Sequence, residues 1–266
     1  MTPVDVSRGD SPVILGLPHT GTYLPSDTWD NLQPHARELR DTDWHVHTLY
    51  DGLLPDATTV RATFHRYVID ANRDPSGKSL YPGQNTTGLV PLTDFDGKAL
   101  WKVEPSEGQI GARRLAFHTP YHDALAEEIA RIKSLHGVAV LYDCHSIRST
   151  VPHLFDGTLP DLNIGTYDGK SCGKMLSEAV ERICRSNPCY STVLNGRFKG
   201  GWTTRCYGRP GAGVHAIQME LAQSTHLASE APPFAYDAVK AERLRETLAR
   251  ILKTLDTLSL SLRKPQ

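Results

Sequence analysis

The sequence lacks the features of a secreted, membrane-spanning or nucleic-acid-binding protein. Its first residues contain no apolar segment behind a basic start, which predicts that there is no signal peptide. No apolar run approaches the roughly 18 residues of a membrane span. The 29 basic and 30 acidic residues leave a formal net charge of -1, so neither nucleic acid nor an anionic membrane surface is expected as a partner. We therefore expect a cytoplasmic protein.

Cysteine is also scarce. The five cysteines are odd in number and form no C-x-x-C pair; they are Cys144, Cys172, Cys184, Cys189 and Cys206. In a protein without an export signal, this pattern favours free thiols in a reducing compartment over a disulfide framework. A pair between Cys184 and Cys189 is the alternative.

What is present fits one ordinary globular α/β domain over residues 1–266, with 39% hydrophobic and 22% charged residues. The chain is organised around residues 138–149, where a short apolar run that reads as a strand buried on both faces ends in Asp143, Cys144, His145 and Ser146. Residues 13–17 form a second short apolar run of the same kind, which leads into His19. Functional groups collect beyond the carboxyl ends of such strands, so both histidines are candidates for one site.

The remaining pattern predicts a mixed, mostly parallel sheet flanked by helices. Further strands are expected at residues 58–63, 67–71, 162–166, 190–194 and 214–221. Helices are expected at residues 39–54, 106–118, 119–135, 170–185 and 236–255. The long loop from residue 72 to about residue 108 carries Tyr81, Leu89 and Trp101 to pack, and we interpret it as an ordered cover over a cleft.

Two histidines and an aspartate form a candidate metal site. A catalytic zinc ion takes three protein ligands and leaves one position for water, and His19, Asp43 and His145 would supply that set. Asp43 lies near the apolar face of the expected 39–54 helix, where an unpaired carboxylate is costly. Asp41 points nearly the opposite way and is interpreted as a solvent-facing helix acid, although it remains the alternative ligand. In the simpler interpretation, each histidine merely bonds a loop carbonyl.

Glu220 is the candidate general base. It shares one face of the 214–221 strand with Val214, Ala216 and Gln218, which is an unusual place for an acid without a partner. A strand-end acid that faces solvent or pairs with an arginine is the alternative interpretation.

Four arginines at strand or turn ends are candidates for binding an anionic substrate, and a surface charge is the alternative interpretation of each. They are Arg66, Arg73, Arg148 and Arg205, and their planar guanidinium groups suit bidentate binding of carboxylates. Asn72-Arg73, directly after an expected strand, is the best of these candidates.

Five stretches in order carry a family resemblance. They are P-H-T-G-T-Y-L-P, D-T-D-W-H-V-H-T-L-Y-D, R-Y-V-I-D-A-N-R-D-P, Y-D-C-H-S-I and H-A-I-Q-M-E-L-A-Q, and the resemblance runs in order from about residue 13 to residue 227. Together they resemble the N-formylglutamate amidohydrolase family, whose fold is similar to that of the zinc carboxypeptidases. The resemblance implies metal-dependent hydrolysis of N-formyl-L-glutamate to L-glutamate and formate in histidine degradation, usually with zinc, although another divalent metal would also suit the ligands.

The resemblance to the carboxypeptidases also implies roles for the candidate residues. The family order of metal ligand, acidic ligand, substrate-binding Asn-Arg pair, metal ligand and catalytic glutamate is matched by His19, Asp43, Asn72-Arg73, His145 and Glu220. Arg66 or Arg205 would hold a second substrate carboxylate, and Arg148 would help to stabilise the oxyanion. The pattern departs from the carboxypeptidases at the acidic ligand, which follows His19 by 24 residues rather than three.

Three other functions remain as alternatives. A related metal amidohydrolase could act on another N-acyl amino acid or on a peptide with the same site. A thiol amidase could use Cys144 beside His145, although adjacent strand residues point to opposite faces and make a poor nucleophile–base pair. A binding module for dicarboxylates would need no metal.

Overall fold

A seven-stranded mixed sheet runs through the computed structural model, which describes residues 2–80, 83 and 85–262. The spatial order of the strands is β1-β3-β2-β4-β7-β5-β6. The strands are β1 (Val4–Ser7), β2 (Val13–Leu17), β3 (Thr58–Ala62), β4 (Ala139–Ile147), β5 (Leu162–Gly165), β6 (Thr192–Leu194) and β7 (Val214–Ala222). The central strands β3, β2, β4 and β7 are parallel, whereas β1 and β5 run antiparallel to their central neighbours. The predicted mixed α/β sheet is therefore confirmed.

Helices cover both faces of the sheet, so the apolar side chains of the central strands are buried on both sides. The α-helices are α1 (Ser26–Asn31), α2 (Val46–Tyr50), α3 (Glu107–Arg113), α4 (Thr119–His136), α5 (Lys174–Ser186), α6 (Trp202–Tyr207) and α7 (Ala238–Leu260). Short 3-10 helices lie at Pro34–Glu38, Pro210–Ala212 and Gln223–Thr225. One face of β4 packs Tyr142 and Cys144 against α2, α5 and α7, while the other packs Leu141 against α4. In the described part of the chain, none of the helices is long and apolar enough to cross a membrane.

Two of the predicted elements are wrong. The helix expected over residues 39–54 is confined to α2, because Leu39 and His45 adopt left-handed backbone conformations that interrupt a helix. The strand expected over residues 67–71 is a buried turn, in which Val68 N donates to His65 O and Arg73 N to Asp70 O. In both segments, contacts around buried polar groups override the local pattern.

The predicted break between two helices is also absent. The helices expected to meet at Thr119 are continuous, because a π-helical stretch (Arg114–His118) joins α3 to α4. The wider turn accommodates Pro120, which has no N–H to donate. The predicted cap between Ser106 and Gln109 is present, and each side chain bonds the other residue's backbone N–H.

The long loop after residue 72 packs against the body of the protein and contributes to a cavity. Trp101 is buried and donates its ring N–H to Pro91 O, while Leu89 packs against the core beneath it. Tyr81, which was also expected to pack there, lies outside the described residues. Thr86, Thr87 and Phe95 line the cavity, so the loop forms part of its wall.

Candidate active site

The register of the central strands assembles the core of the site. His145 in β4 lies directly beside Glu220 in β7, and Asp143 lies beside Gln218. Because alternate strand residues share a face, all four side chains point away from the Cys144 side of the sheet. The strand predicted to end at residue 142 continues to Ile147, so His145 lies within it rather than in the turn beyond.

His19 and Asp43 reach the same place from the neighbouring part of the chain. His19 follows the end of β2 by two residues, and its carbonyl accepts a hydrogen bond from Asp43 N at 3.1 Å. Asp43 therefore sits in a turn against His19 and not on the expected helix. The Asp43 side chain is 1% exposed.

Three ligand atoms converge on one point. His19 Nδ1 lies 3.2 Å from His145 Nδ1, and His145 Nδ1 lies 3.2 Å from Asp43 Oδ2. The third distance, from His19 Nδ1 to Asp43 Oδ2, is 3.7 Å. These residues form a group that could hold a metal ion.

The arrangement fits a small tetrahedral ion. Zinc–nitrogen and zinc–oxygen bonds of about 2.0–2.1 Å place tetrahedral ligands about 3.3–3.4 Å apart, close to the observed spacing. Two imidazoles and a carboxylate are a donor set of catalytic zinc sites. Among the described residues, none donates a hydrogen bond to the buried Asp43 Oδ1. A buried carboxylate oxygen normally accepts at least one.

Outer partners orient both imidazoles. His19 Nε2 donates to Asp70 Oδ1 at 2.6 Å, which leaves the Nδ1 lone pair directed at the cluster. His145 Nε2 lies 3.1 Å from Asp143 Oδ1 and 3.0 Å from Asn72 Nδ2. Burial opposes ionisation of Asp70, but the positive charges of its neighbours outweigh burial and hold its pKa well below the ordinary value. Asp70 is therefore an anion that can accept from the imidazole.

Glu220 lies on the cavity wall beside this cluster. Burial raises its pKa to about 7, although the adjacent His145 opposes the shift. Gln218 Nε2 donates to Glu220 Oε2 at 3.0 Å, and Gln218 Oε1 accepts from Gly201 N at 2.7 Å. Because the Gly201 bond fixes which end of the amide faces Glu220, Gln218 fixes the orientation of the glutamate.

Three arginines are among the residues that line the cavity. Arg66 is 6% exposed, donates to Asp70 Oδ2 at 3.0 Å and lies 3.9 Å from Asp43 Oδ1. Arg73 donates to the Thr87 carbonyl and hydroxyl, both at 2.9 Å. Arg197 is the third.

Asn72, Arg148 and Arg205 lie in positions different from those expected from the sequence. Asn72 lines the cavity, but its Oδ1 accepts from Thr203 N and its Nδ2 contacts His145, so its amide positions protein groups. Arg148 and Arg205 are not among the described residues that line the cavity. Arg148 donates to Asp96 Oδ1, and Arg205 faces the Tyr167 ring in a separate surface depression.

Asp41 is not the solvent-facing acid that was expected. Its side chain is 2% exposed, and Oδ2 accepts a hydrogen bond from Phe95 N at 3.0 Å. Burial raises the pKa of Asp41 to about 7. The group of ligand atoms contains Asp43 and not Asp41, because the turn directs Asp41 towards the 72–108 loop.

Cys144 has the properties of a core residue rather than a nucleophile. It is fully buried on the opposite face of β4, and burial raises the pKa of its thiol well above the ordinary value. The reactive form of cysteine is the thiolate, so the thiol amidase alternative is disfavoured. All five cysteines are free.

The sequence analysis assigned no role in the site to Asp70, Asp143, Gln218 or Arg197. Asp143 and Gln218 stand two residues before His145 and Glu220, so strand alternation was a usable signal for both. Asp70 was hidden by the incorrect strand assignment. Arg197 lies in a glycine-rich segment, and its position depends on how residues 195–201 fold.

Comparison with known proteins finds one family over most of the chain. The family model for N-formylglutamate amidohydrolase matches residues 11–227. The N-formylglutamate deformylase of Pseudomonas aeruginosa is 47% identical over 251 residues, which cover 93% of this chain and 94% of that protein. The N-formylglutamate deformylase of Pseudomonas putida is 45% identical over 252 residues, 93% of each chain.

Among solved structures, the fold is similar to that of the N-formylglutamate amidohydrolase from Ralstonia eutropha JMP134. The TM-score is 0.81 at 23% identity, with 97% of this chain and 98% of that chain covered. A gene product from Agrobacterium tumefaciens, Atu2144, matches with a TM-score of 0.72 at 19% identity over 96% of this chain and 97% of that one.

Proposed function

The chain belongs to the N-formylglutamate amidohydrolase family, and from that premise we propose that it is a metal-dependent N-formyl-L-glutamate deformylase. The reaction is hydrolysis of the formamide bond, which gives L-glutamate and formate. The convergence of three ligand atoms beside Glu220 carries the proposal. Water attack on an amide needs an electrophilic centre and a base, and a metal held by these ligands beside Glu220 would supply both.

In this proposal His19, Asp43 and His145 hold a divalent metal, of which Zn²⁺ fits the donor set best. A metal bound there would polarise the formyl oxygen and lower the pKa of a bound water towards about 7. Asp70 and Asp143 contact the Nε2 atoms of the two imidazoles, so both Nδ1 atoms would be available to hold the metal.

Glu220 moves the protons. Its carboxylate takes a proton from the attacking water as the new C–O bond forms at the formamide carbon. The C–N bond then breaks, and Glu220 delivers that proton to the leaving amine nitrogen. Gln218 holds the carboxylate in place for both transfers. Burial, which raises the pKa of Glu220 to about 7, suits a group that must accept and release a proton near neutral pH.

The arginines bind the anionic parts of the substrate. Arg73 lies at the cavity wall beside Thr87, and we assign it to one substrate carboxylate. Arg66 lies near Asp43, so its charge is placed to stabilise the negative charge that develops on the formyl oxygen. This assignment replaces the expected role of Arg148, whose guanidinium pairs with Asp96.

The family and the free thiols also support a proposal for where in the cell, and in which pathway, the enzyme acts. We place the enzyme in the cytoplasm and at the last step of a histidine degradation route. The free cysteines suit a reducing compartment.

A substrate panel tests the proposal. Formate or acetate release is measured with N-formyl-L-glutamate, N-acetyl-L-glutamate and N-formyl-L-aspartate. We expect the highest kcat/KM for N-formyl-L-glutamate. A clear preference for either of the others would retain a hydrolytic site but contradict the substrate assignment.

A further inference from the structure

Two histidines near the start of α4 contact the turn formed by residues 70–73. His118 Nε2 donates to Arg73 O at 3.0 Å, and His122 Nε2 donates to Ala71 O at 2.8 Å. The two histidines are four positions apart in the continuous helical segment that joins α3 to α4, so they share one face of it. Their ring centres lie 4.3 Å apart. Both hydrogen bonds therefore come from neighbouring side chains of a single helical element.

The partners of these histidines place a proton on Nε2 of each ring. A carbonyl oxygen only accepts hydrogen bonds, so each Nε2 must be the donor. Burial lowers the pKa of His118, and it lowers the pKa of His122 to about 3, so both rings are neutral near pH 7. His122 Nδ1 lies 2.9 Å from the Tyr207 hydroxyl, which can donate to it. Each histidine thus gives the turn one directed N–H group.

The turn carries three side chains of the candidate active site. Asp70 accepts from His19, and Asn72 contacts His145. Arg73 lines the cavity. This segment belongs to neither a helix nor a strand, so regular backbone hydrogen bonding does not fix its position. The N–H groups from α4 supply donors that the sheet and the helices do not.

From these contacts we propose that His118 and His122 are positioning residues for the active site. His118 holds the backbone of Arg73 where its guanidinium group binds a substrate carboxylate. His122 holds the carbonyl between Asp70 and Asn72, whose side chains contact the metal-binding imidazoles. The inference rests on the proposed function, in which Arg73 binds the substrate and the imidazoles hold the metal.

Variants of His118 test the contact with Arg73. His118→Met removes the donor, and we expect KM for N-formyl-L-glutamate to rise about 10-fold while kcat stays within about 3-fold of the wild-type value. His118→Gln places an amide N–H where Nε2 stands and should restore KM to within about 3-fold of the wild-type value. His118→Asn places its N–H near the Nδ1 position instead and should behave like the Met variant.

Steady-state kinetics of the metal-loaded enzymes measure these values. The comparison of the Gln and Asn variants decides the question even if His118→Met does not fold. A Gln variant as impaired as the Asn variant, or an unchanged KM in His118→Met, would contradict the role of His118 while the deformylase function stands.

His122→Met tests the contact with Ala71 by a measurement that needs no turnover. Because Asp70 and Asn72 flank Ala71, we expect the variant to bind Zn²⁺ about 10-fold more weakly than the wild type. Competition with a chromophoric chelator measures the dissociation constant. His122→Gln should recover most of the affinity, whereas His122→Asn should not. A dissociation constant that stays the same in all three variants would overturn the role of His122.

His215→Met is the matched control. His215 is buried and its Nδ1 accepts from Gly173 N at 3.0 Å, so its replacement also removes a buried contact with the backbone. It lies five residues before Glu220 on β7, about 16 Å along the strand. KM, kcat and zinc affinity should therefore stay near their wild-type values in this variant.

Equal losses in His215→Met would assign the effects to general destabilisation and overturn the proposal. If the wild-type metalloenzyme does not hydrolyse N-formyl-L-glutamate, the proposed function fails and the role of His118 fails with it. The zinc titration still decides in that case whether His122 positions the imidazoles.

Discussion

At the scale of single residues, replacement of Glu220 gives the most direct test of the proposed chemistry. Its side chain is 7% exposed and lies beside His145, where it accepts a hydrogen bond from Gln218 Nε2. Glu220→Gln keeps the shape but removes the proton acceptor, and we expect kcat to fall by about 10²–10⁴-fold with KM nearly unchanged. Steady-state kinetics with N-formyl-L-glutamate measure this. Glu178→Gln, on the exposed side of α5, is the control, and near-normal kcat in Glu220→Gln would remove the glutamate from the mechanism.

Gln218 supports Glu220 and has its own prediction. Gln218→Glu keeps an oxygen that can accept from Gly201 N but loses the donor to Glu220 Oε2 and places two carboxylates together. We expect kcat to fall at least about 10-fold with a smaller change in KM, because the variant disturbs the base and not the substrate-binding groups. An increase in KM alone would mean that Gln218 acts in substrate binding instead.

We expect His226 to make the free energy of unfolding depend on pH. It is fully buried, its Nε2 donates to Trp44 O, and burial lowers its pKa to about 4 from about 6.5 in the unfolded chain. Below pH 6.5 the unfolded chain binds a proton that the folded protein excludes. The free energy of unfolding should therefore fall as pH decreases from about 6.5 to about 4, by up to about 1.4 kcal/mol per pH unit from this group.

Denaturant titrations of metal-free protein at several pH values measure that slope. His226→Gln keeps a donor towards Trp44 O but cannot take up a proton, so its slope should be smaller than that of the wild type in this window. Equal slopes would show that His226 does not contribute to the pH dependence.

At the scale of secondary-structure elements, the outcome of sequence reasoning depended on how regular each element is. The strands β2, β4 and β7 are buried on both faces, and the apolar residues within them predicted them directly. The segment around Asp43 failed because left-handed residues break the helix that its apolar pattern favours. The ligand residues were named from the sequence, whereas Asp70 and Arg197 depend on turns and loops that only tertiary contacts define.

Alanine substitutions at Gly201 and Gly111 are predicted to change the free energy of unfolding in opposite directions. A Cβ at Gly201 would lie 2.4 Å from Asn72 Nδ2, and Asn72 is held by Thr203 N and His145. Gly201→Ala should therefore destabilise the protein by about 1–3 kcal/mol and reduce activity. Gly111 lies inside α3 with nothing near its missing Cβ, so Gly111→Ala should stabilise by about 0.5–1 kcal/mol.

Unfolding free energies and kcat/KM of both variants measure these effects. Gly111→Ala, which lies outside the cavity wall, should retain wild-type kinetics. A Gly201→Ala variant with unchanged stability would mean that Asn72 can move freely, contrary to the contacts described above.

At the scale of the whole molecule, the proposed metal would connect distant parts of the chain. Its ligands come from the end of β2, the turn at Asp43 and the middle of β4, all of which come together only in the folded state. A metal that binds only the native protein adds about 4 kcal/mol at 1,000 times its dissociation constant. Removal by a chelator should lower Tm by about 5–15 °C, as measured by calorimetry, whereas an unchanged Tm would argue against a metal held at this site.

The same account predicts how activity responds to the metal, and this is the most direct test of the site. The measurement is formate release from N-formyl-L-glutamate by protein stripped with a chelator and then re-supplied with Zn²⁺, beside an Asp43→Asn variant treated identically. We expect activity to vanish on stripping and to return with metal in the wild type, while the variant recovers little. Full activity in verified metal-free protein would contradict the proposed centre formed by His19, Asp43 and His145.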